Sequence, residues 1–368
     1  MIKKIHIVAD ENIPALDELL GEVAEISYLP GRAMQAKDIE HADALLVRSV
    51  TKVNEKLLRN SNVKFVGTCT IGTDHIDNAY LAERDIGFAS APGCNAAAVV
   101  DYVLAAMLYI YPDCKTLKNK VVGIIGCGEV GGRLASRLSQ LGISYKVCDP
   151  FKPEGVASLD EILECDIISL HVPYTVDVVH ATHHLLGSKE LAKITQGGLL
   201  INTSRGAVID NKALYAVIQQ SSFFTVLDVY EDEPAPDIAL LDAVDIATAH
   251  IAGYSLHGKI RGSLQIVKSL FYFFNIEKVI PDLLSQHKKC IVLNADDGVK
   301  QLVNAAYDIK EDSRRFVACM KDAKEHHNMA EAFDAYRKNY PVRYEWSFID
   351  VVNGDALINE VKQLGFKK

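Results

Sequence analysis

Short apolar runs, each closed by a polar loop or an amphipathic stretch, recur along the first two thirds of the chain. Ile5 to Ala9 runs directly into Asp10-Glu11-Asn12, the pattern of a buried parallel strand ending in a loop. Ala44 to Val47, Lys64 to Gly67 and Gly87 to Ser90 repeat it and predict an α/β sheet over residues 1–90. Ala96 to Tyr109, AAAVVDYVLAAMLY, is too long for a strand and almost wholly apolar, which predicts a buried helix between two lobes, stopped by Pro112. A second series follows: strand Val121 to Gly126, helix Val130 to Leu141, and strands Ser144 to Asp149, Asp166 to Leu170, Gly198 to Asn202 and Thr225 to Asp228. Strands alternating with helices in this way predict a doubly wound nucleotide-binding domain.

After Asp245-Ile246-Ala247 a helical pattern from Leu256 to about Phe274 is expected to return to the first lobe. Beyond Pro281 the character changes. Charge clusters such as Lys310-Glu311-Asp312 and Arg314-Arg315, one strand pattern at Cys290 to Asn294 and the single tryptophan, Trp346, predict a small α+β appendage. The expected division is 1–95, 96–254, 255–284 and 285–368: two doubly wound parallel-sheet lobes of α/β class and a C-terminal α+β domain.

A chain of 368 residues exceeds one ordinary core, which agrees with several domains. A net charge of -9 speaks against nonspecific nucleic-acid binding, because the phosphate backbone would be repelled. Cysteines at 69, 94, 114, 127, 148, 165, 290 and 319 form no C-x-x-C pair and no zinc spacing, so they read as reduced thiols. Asp10-Glu11 interrupts the N-terminus before a signal-sequence core could form, and nowhere do about 18 uncharged apolar residues run together. A cytoplasmic protein without membrane partner is the expectation.

Gly126-Cys127-Gly128-Glu129-Val130-Gly131 is a G-x-G-x-x-G placed between an apolar strand and a helical pattern. The first glycine permits a tight turn, the second lets a pyrophosphate approach the backbone, and the third lets helix and strand pack closely. Asp149 ends the next strand about 20 residues on, where a carboxylate accepts from ribose hydroxyls and repels a 2′-phosphate, predicting NAD over NADP. Lys152 nearby leaves that preference open, as does a plain turn role for an Asp before Pro150. Arg205, Glu233 and His250 each follow a predicted strand, and the carboxyl ends of parallel strands are where such sheets place ligands. One by one they read equally as a surface ion pair, a turn residue before proline and a structural histidine.

The strings GCGEVGG, INTSRGAVID, LDVYEDEP and TAHIAGY, in this order, resemble the D-isomer-specific 2-hydroxyacid dehydrogenases over roughly residues 5–280. The resemblance implies two lobes, the second inserted into the first, and an NAD-dependent enzyme that oxidises the 2-hydroxyl carbon of a small acid, with Arg205, Glu233 and His250 as catalytic residues. It implies cofactor contacts at Gly126, Gly128, Glu129, Val130, Gly131, Asp149, Val172, Thr203, Ser204, Arg205, Asp228 and Gly253, and substrate contacts at Ser49, Thr70 and Tyr254. Further strings, VADENIP, LPGR, VRSVTKVNEKLL, KFVGTCTIGTDHID, APGCNAAAVV, RGAVIDNKAL, HIAGYSLHGKIRG and RKNYPVRYEWS, are similar to one branch of the family, acting on a 4-phosphorylated hydroxy acid, and carry the likeness over nearly all of the chain. In that branch the C-terminal domain resembles a dimerisation module, which makes a second copy of the chain the expected protein partner.

The chemistry of the residue types agrees. Alcohol oxidation needs a base for the hydroxyl proton, and histidine titrates near the working pH. A carboxylate on the other ring nitrogen would orient it, and an arginine fork would hold a carboxylate or developing carbonyl. In the first lobe the backbone of Cys69 to Thr73 could cradle an anion. A phosphate requires cations, for which Arg48, Lys259 and Arg261 are candidates. Asp74-His75-Ile76-Asp77 has metal-ligand residue types, but hydride transfer needs no metal and such a string after a glycine turn reads as a helix cap, so none is expected. His183-His184 reads as a solvated or packing pair. Two other functions stay open on sequence: a dehydrogenase for another acid such as 3-phosphoglycerate, and an NAD-sensing corepressor.

Overall fold

Among the described residues, 4–152 and 156–368 of a computed structural model, every strand pair is parallel. Parallel neighbours cannot be joined by tight hairpins, so helices and loops cross over both sheet faces. The chain divides into two units, Met1–Asn95 with Ser255–His287 and Ala96–Tyr254 with Lys288–Lys368.

In the first unit, β1 (Ile5–Asp10), β2 (Ala24–Leu29), β3 (Ala44–Val47), β4 (Phe65–Thr68) and β5 (Gly87–Ala89) lie in the order β2-β1-β3-β4-β5. Alternate side chains point to opposite faces. Ile7, Ala9, Ala44, Leu46 and Phe65 join one apolar cluster, while Val8, Leu45, Val47 and Val66 join the other. The helix Leu256–Phe273, capped by Ser255, whose hydroxyl accepts Gly258 N–H at 2.9 Å, covers the first face with Ile266, Val267 and Leu270. It can lie on β4 because residue 67 is glycine: a Cβ there would sit 2.4 Å from Ile266 Cγ2.

In the second unit, β6 (Val121–Ile125), β7 (Ser144–Cys148), β8 (Ile167–Leu170), β9 (Leu199–Asn202), β10 (Phe224–Leu227) and β11 (Ile246–Ala247) take the order β11-β10-β9-β8-β6-β7. The direction of winding reverses at β6, and the crevice outside the carboxyl ends of β6 and β8 is the place where such sheets bind nucleotides. The helix Ala96–Ile110 runs through the core of this unit, buried almost all round.

Residues 288–368 form a small C-terminal sheet and helices that group with this second unit. Their two strands, β12 (Lys289–Val292) and β13 (Ile349–Val352), pair with each other, but Leu302, Phe316, Met320, Phe333 and Trp346 share one apolar cluster with Tyr102, Leu104, Leu227 and Tyr230. Polar ties reinforce the packing. Trp346 N–H donates to the Asp101 carboxylate at 2.9 Å, Ala247 N–H to Ser313 Oγ at 2.9 Å, and Arg137 to the Leu364 carbonyl. Asp101, caught in this seam, is pushed up to about 7, chiefly by burial, with the charge of Glu345 adding to it and the Trp346 N–H, Arg137 and Arg343 opposing it. Among the described residues no helix is long and apolar enough to cross a membrane.

Candidate active site

The glycine loop after β6 has the geometry that its three glycines demand. Gly126 sits at φ +87°, and a Cβ on it would come within 2.8 Å of the His171 carbonyl and Val172 Cγ1 on the facing loop after β8. A Cβ at Gly131 would be 2.0 Å from the Gly126 carbonyl, so helix and turn are in backbone contact. At Gly128 nothing lies within 4 Å of that position, which leaves open space before the helix Glu129–Leu141, whose N-terminal N–H groups suit a pyrophosphate. These features fit a dinucleotide. Asp149 stands beside the loop: one carboxylate oxygen accepts Cys127 N–H at 2.8 Å and the other accepts Phe151 N–H at 3.0 Å. It therefore shapes the glycine loop. Glu129, in the first helical turn, pairs with Arg133 at 3.4 Å, and Val130 packs inward on the apolar core.

His171, which sequence reasoning passed over, lies on the opposite rim, 2.9 Å from Ser169 Oγ and 3.4 Å from Thr203 Oγ1. Burial pushes it down to about 3, so it is a neutral hydrogen-bonding group. Ser204 Oγ donates to Asn202 at 2.8 Å, fixing the turn that leads to Arg205.

Glu233 and His250 come together although 17 residues separate them. His250 Nδ1 is 2.8 Å from Glu233 Oε2, and the other carboxylate oxygen accepts Tyr230 N–H at 3.0 Å. Burial opposes the charge of Glu233, but the charged form of His250, the hydrogen bond to it, the Tyr230 N–H and nearby Arg337 outweigh burial and hold the carboxyl below its ordinary range. An ionised partner on Nδ1 keeps the proton there and leaves Nε2 as the working nitrogen. The imidazole is about one third exposed, so it can reach a substrate.

The backbone that presents His250 is held from beneath. His250 adopts φ +56°, in the left-handed region that non-glycine residues seldom enter. Asp228, 1% exposed, supports this bend: one oxygen accepts Thr248 Oγ1 at 2.6 Å and Ile251 N–H at 2.8 Å, and the other accepts Ala252 N–H at 2.8 Å. Tyr102, in the buried helix, lies 2.7 Å from the same threonine hydroxyl. Burial still pushes the Asp228 carboxyl above its usual value. Gly253 and Tyr254, at the end of this loop, are half-exposed.

Arg205 follows β9 and is half-buried, with Nη1 donating to the Ser204 carbonyl at 2.8 Å. Its loop is pressed against the loop carrying Glu233: a Cβ on Gly206 would lie 1.9 Å from the carbonyl carbon of Tyr230. Asn211 bridges the same two loops, its Nδ2 donating to the Ile209 carbonyl at 2.9 Å while Glu231 N–H donates to its Oδ1 at 3.2 Å. His184 adds a strut, with Nε2 2.5 Å from Glu231 and Nδ1 3.9 Å from Asp210. Its ring stacks on His183 at 3.9 Å. These three residues are close enough to hold a metal ion, but only Nε2 is hydrogen-bonded, to Glu231, while Nδ1 faces Asp210 at ion-pair distance, the pattern of a brace.

The first unit carries the other candidates at the carboxyl ends of its own strands. Arg48 and Ser49 follow β3, half-buried and exposed respectively. Thr70 follows β4, its hydroxyl 2.7 Å from Thr68 Oγ1 and 3.0 Å from the Gly72 carbonyl. His75 holds Thr68 Oγ1 at 3.0 Å, and Asp77 caps the helix Asn78–Glu83 by accepting Tyr80 N–H, so this string serves local structure. Arg261 donates to the Cys94 carbonyl, a structural tie. Lys259 is half-buried.

A doubly wound sheet with a glycine-loop nucleotide site and a histidine–carboxylate pair at its carboxyl edge defines a pyridine-nucleotide dehydrogenase class. Residues 109–252 match the family described as D-isomer specific 2-hydroxyacid dehydrogenase, NAD binding domain, and residues 288–365 match a domain of unknown function. The chain is 41% identical to an erythronate-4-phosphate dehydrogenase of Chromohalobacter salexigens, over 99% of this chain and 98% of the relative. It is 45% identical to one of Pseudomonas putida, over 98% of each. The chain belongs to the erythronate-4-phosphate dehydrogenase family. Among solved structures it is similar to D-lactate dehydrogenase of Aquifex aeolicus complexed with NAD and lactic acid, with a TM-score of 0.62, 27% identity, and 73% of this chain and 95% of that one covered. NAD is the cofactor of this domain.

Proposed function

We propose that the chain oxidises 4-phospho-D-erythronate at carbon 2 to 3-hydroxy-2-oxo-4-phosphooxybutanoate, a step of pyridoxine phosphate biosynthesis. The observation that carries this reading is the 2.8 Å contact between His250 and Glu233 at the carboxyl edge of an NAD-binding sheet, in a chain whose relatives bear that enzyme's name over their whole length.

The geometry supports the following roles. His250 Nε2 takes the proton of the C2 hydroxyl as the C2–H bond breaks and the carbonyl forms. Bound NAD supplies the acceptor for the hydride that leaves C2. Glu233 holds the imidazole by Nδ1 and balances the charge that it gains. Arg205 grips the substrate carboxylate and the developing carbonyl by a two-pronged donor edge. Gly126, Gly128, Glu129, Val130 and Gly131 seat the pyrophosphate and Asp149 the ribose, with Val172, Thr203, Ser204, Asp228 and Gly253 around the nicotinamide. Ser49, Thr70, Tyr254 and Arg48 serve the substrate.

Dimerisation through residues 285–368 belongs to the same reading, supported by exposed Val292, Val342 and Val352 in that segment. A cytoplasmic location accords with free cysteines and biosynthetic relatives. The decisive experiment is a substrate panel with purified protein and NAD: erythronate 4-phosphate, unphosphorylated erythronate and 3-phosphoglycerate. The first should give the highest kcat/KM; a preference for 3-phosphoglycerate would replace this reading by that of a related dehydrogenase.

A further inference from the structure

Arg337, near the end of the helix Met329–Lys338, lies over the ring of Tyr254. Its guanidinium carbon is 5.0 Å from that ring's centroid and 5.8 Å from the centroid of Phe333. Stacking engages the faces of a guanidinium and leaves its N–H edge for acceptors. Among the described residues none accepts from it, and Nε is buried without a partner. Arg337 as a whole is half-exposed, so its terminal nitrogens, which no described residue engages, offer donors beside the reacting groups to a ligand with acceptor oxygens. Arg337 is near enough to act on Glu233, but as the smallest of the influences on that carboxyl, so the ionised Glu233 does not depend on it.

The segment that carries Arg337 is fixed to the His250 loop rather than resting near it. Arg343, 8% exposed and stacked 4.7 Å over Tyr307, donates to the Ala252 carbonyl. The Tyr340 ring meets Tyr254 edge-on at 6.1 Å. Tyr340 and Tyr336 both donate to buried Asp312, at 2.6 and 2.8 Å. Residues 337–343 therefore form one wall of the loop 250–254.

We propose that Arg337 is the specificity residue for the substrate's phosphate, taking the dianion on its open N–H edge while Arg205 holds the carboxylate at the other end. The proposal rests on the reading of the substrate as a phosphorylated hydroxy acid. It gives the segment matched by a domain of unknown function a direct part in the active site of its own chain.

The test uses the full chain and two variants. Arg337→Met keeps the length of the side chain and its packing on Tyr254 but removes the charge and the donors; Arg337→Lys keeps the charge without the planar edge. With erythronate 4-phosphate, Arg337→Met should lower kcat/KM by about 100-fold, mostly through KM, the scale of losing two charge-assisted hydrogen bonds. With unphosphorylated erythronate the change should stay within about threefold, and Arg337→Lys should recover part of the loss. Inorganic phosphate titrated calorimetrically into the NAD-loaded protein should bind at least about tenfold more weakly to Arg337→Met. Equal losses for both substrates, or unchanged phosphate binding, would overturn the proposal. If the unaltered protein fails to oxidise erythronate 4-phosphate, the substrate reading falls, and the phosphate titration still decides the role of Arg337.

Discussion

Asp228 and His250 are linked through backbone and side chain together: the Asp228 carbonyl accepts His250 N–H at 2.7 Å, and the Asp228 carboxylate accepts the N–H groups of the next two residues at 2.8 Å. A residue placed at positive φ is stable only when its surroundings over-determine it, and this buried carboxylate does so. Asp228→Asn would turn an NH2 group toward one of those donors. We expect a loss of about 1–3 kcal/mol in unfolding free energy, the cost of an unsatisfied buried polar group, and a lower kcat. Urea unfolding and steady-state kinetics check both; unaltered stability would show that the loop does not depend on the carboxylate.

The Glu233–His250 contact predicts that the two residues act as a unit. His250→Ala should lower kcat by about 10² to 10⁴, the usual worth of a positioned proton-transfer group, with NAD affinity little changed. Glu233→Gln should cost less, because a hydrogen bond to Nδ1 can survive when the charge is gone. If the double variant were slower by the product of the single losses, the pair would be acting independently and the mechanism would fail.

Asp149 holds the glycine loop and, in the reading proposed above, also partners the ribose, so its removal should show both losses. Asp149→Ala takes away the acceptor for Cys127 N–H as well as the ribose partner. NAD binding should weaken by about tenfold or more, the scale of one or two charged hydrogen bonds, and the gap between NAD and NADP should narrow. Calorimetry with both cofactors measures this. A variant whose NAD affinity equals that of the parent would remove Asp149 from the site.

Asp101 gives stability an unusual pH dependence. Its folded-state pKa of about 7 lies above the ordinary 3.8, so the folded protein keeps a proton that the unfolded chain releases. Its contribution is complete below about pH 4 and declines as pH rises to about 7, where it is spent; the full difference is on the order of 4 kcal/mol. Asp101→Asn keeps an acceptor for Trp346 N–H and cannot titrate. The variant should gain stability relative to the parent between pH 5 and pH 7.5 in melting curves. Parallel curves for the two proteins across that range would refute the assignment.

The two wound sheets were legible because their central strands are uninterrupted apolar runs; Ala44–Val47 and Leu199–Asn202 are buried at every position. β2 escaped because Ala24–Leu29 is an edge strand with Glu25, Ser27 and Tyr28 exposed, leaving no clean run or alternation to detect. The trio of Arg205, Glu233 and His250 was readable only as a set, since no spacing in the chain announces that Glu233 meets His250. His171 and Arg337 gave no signal of their own. A histidine after a strand and an arginine late in an amphipathic helix are common, and what distinguishes these two is desolvation and an absent acceptor, properties of the folded chain. The C-terminal segment was visible as a change in composition, but its share in the core depends on long-range packing that periodicity does not encode.

That shared core has a consequence for the order in which the molecule is made. Ala252 leaves the ribosome 91 residues before Arg343, the side chain that will hold its carbonyl, and Leu227 and Tyr230 precede Phe316 and Trp346, beside which they will be buried. At about 5–20 residues per second, the growing second unit spends several seconds with its glycine loop already synthesised and part of its apolar face bare. Newly made chains are therefore exposed to aggregation late in synthesis, and stalling in the last quarter of the message should yield a product that sheds its cofactor and calls on chaperones.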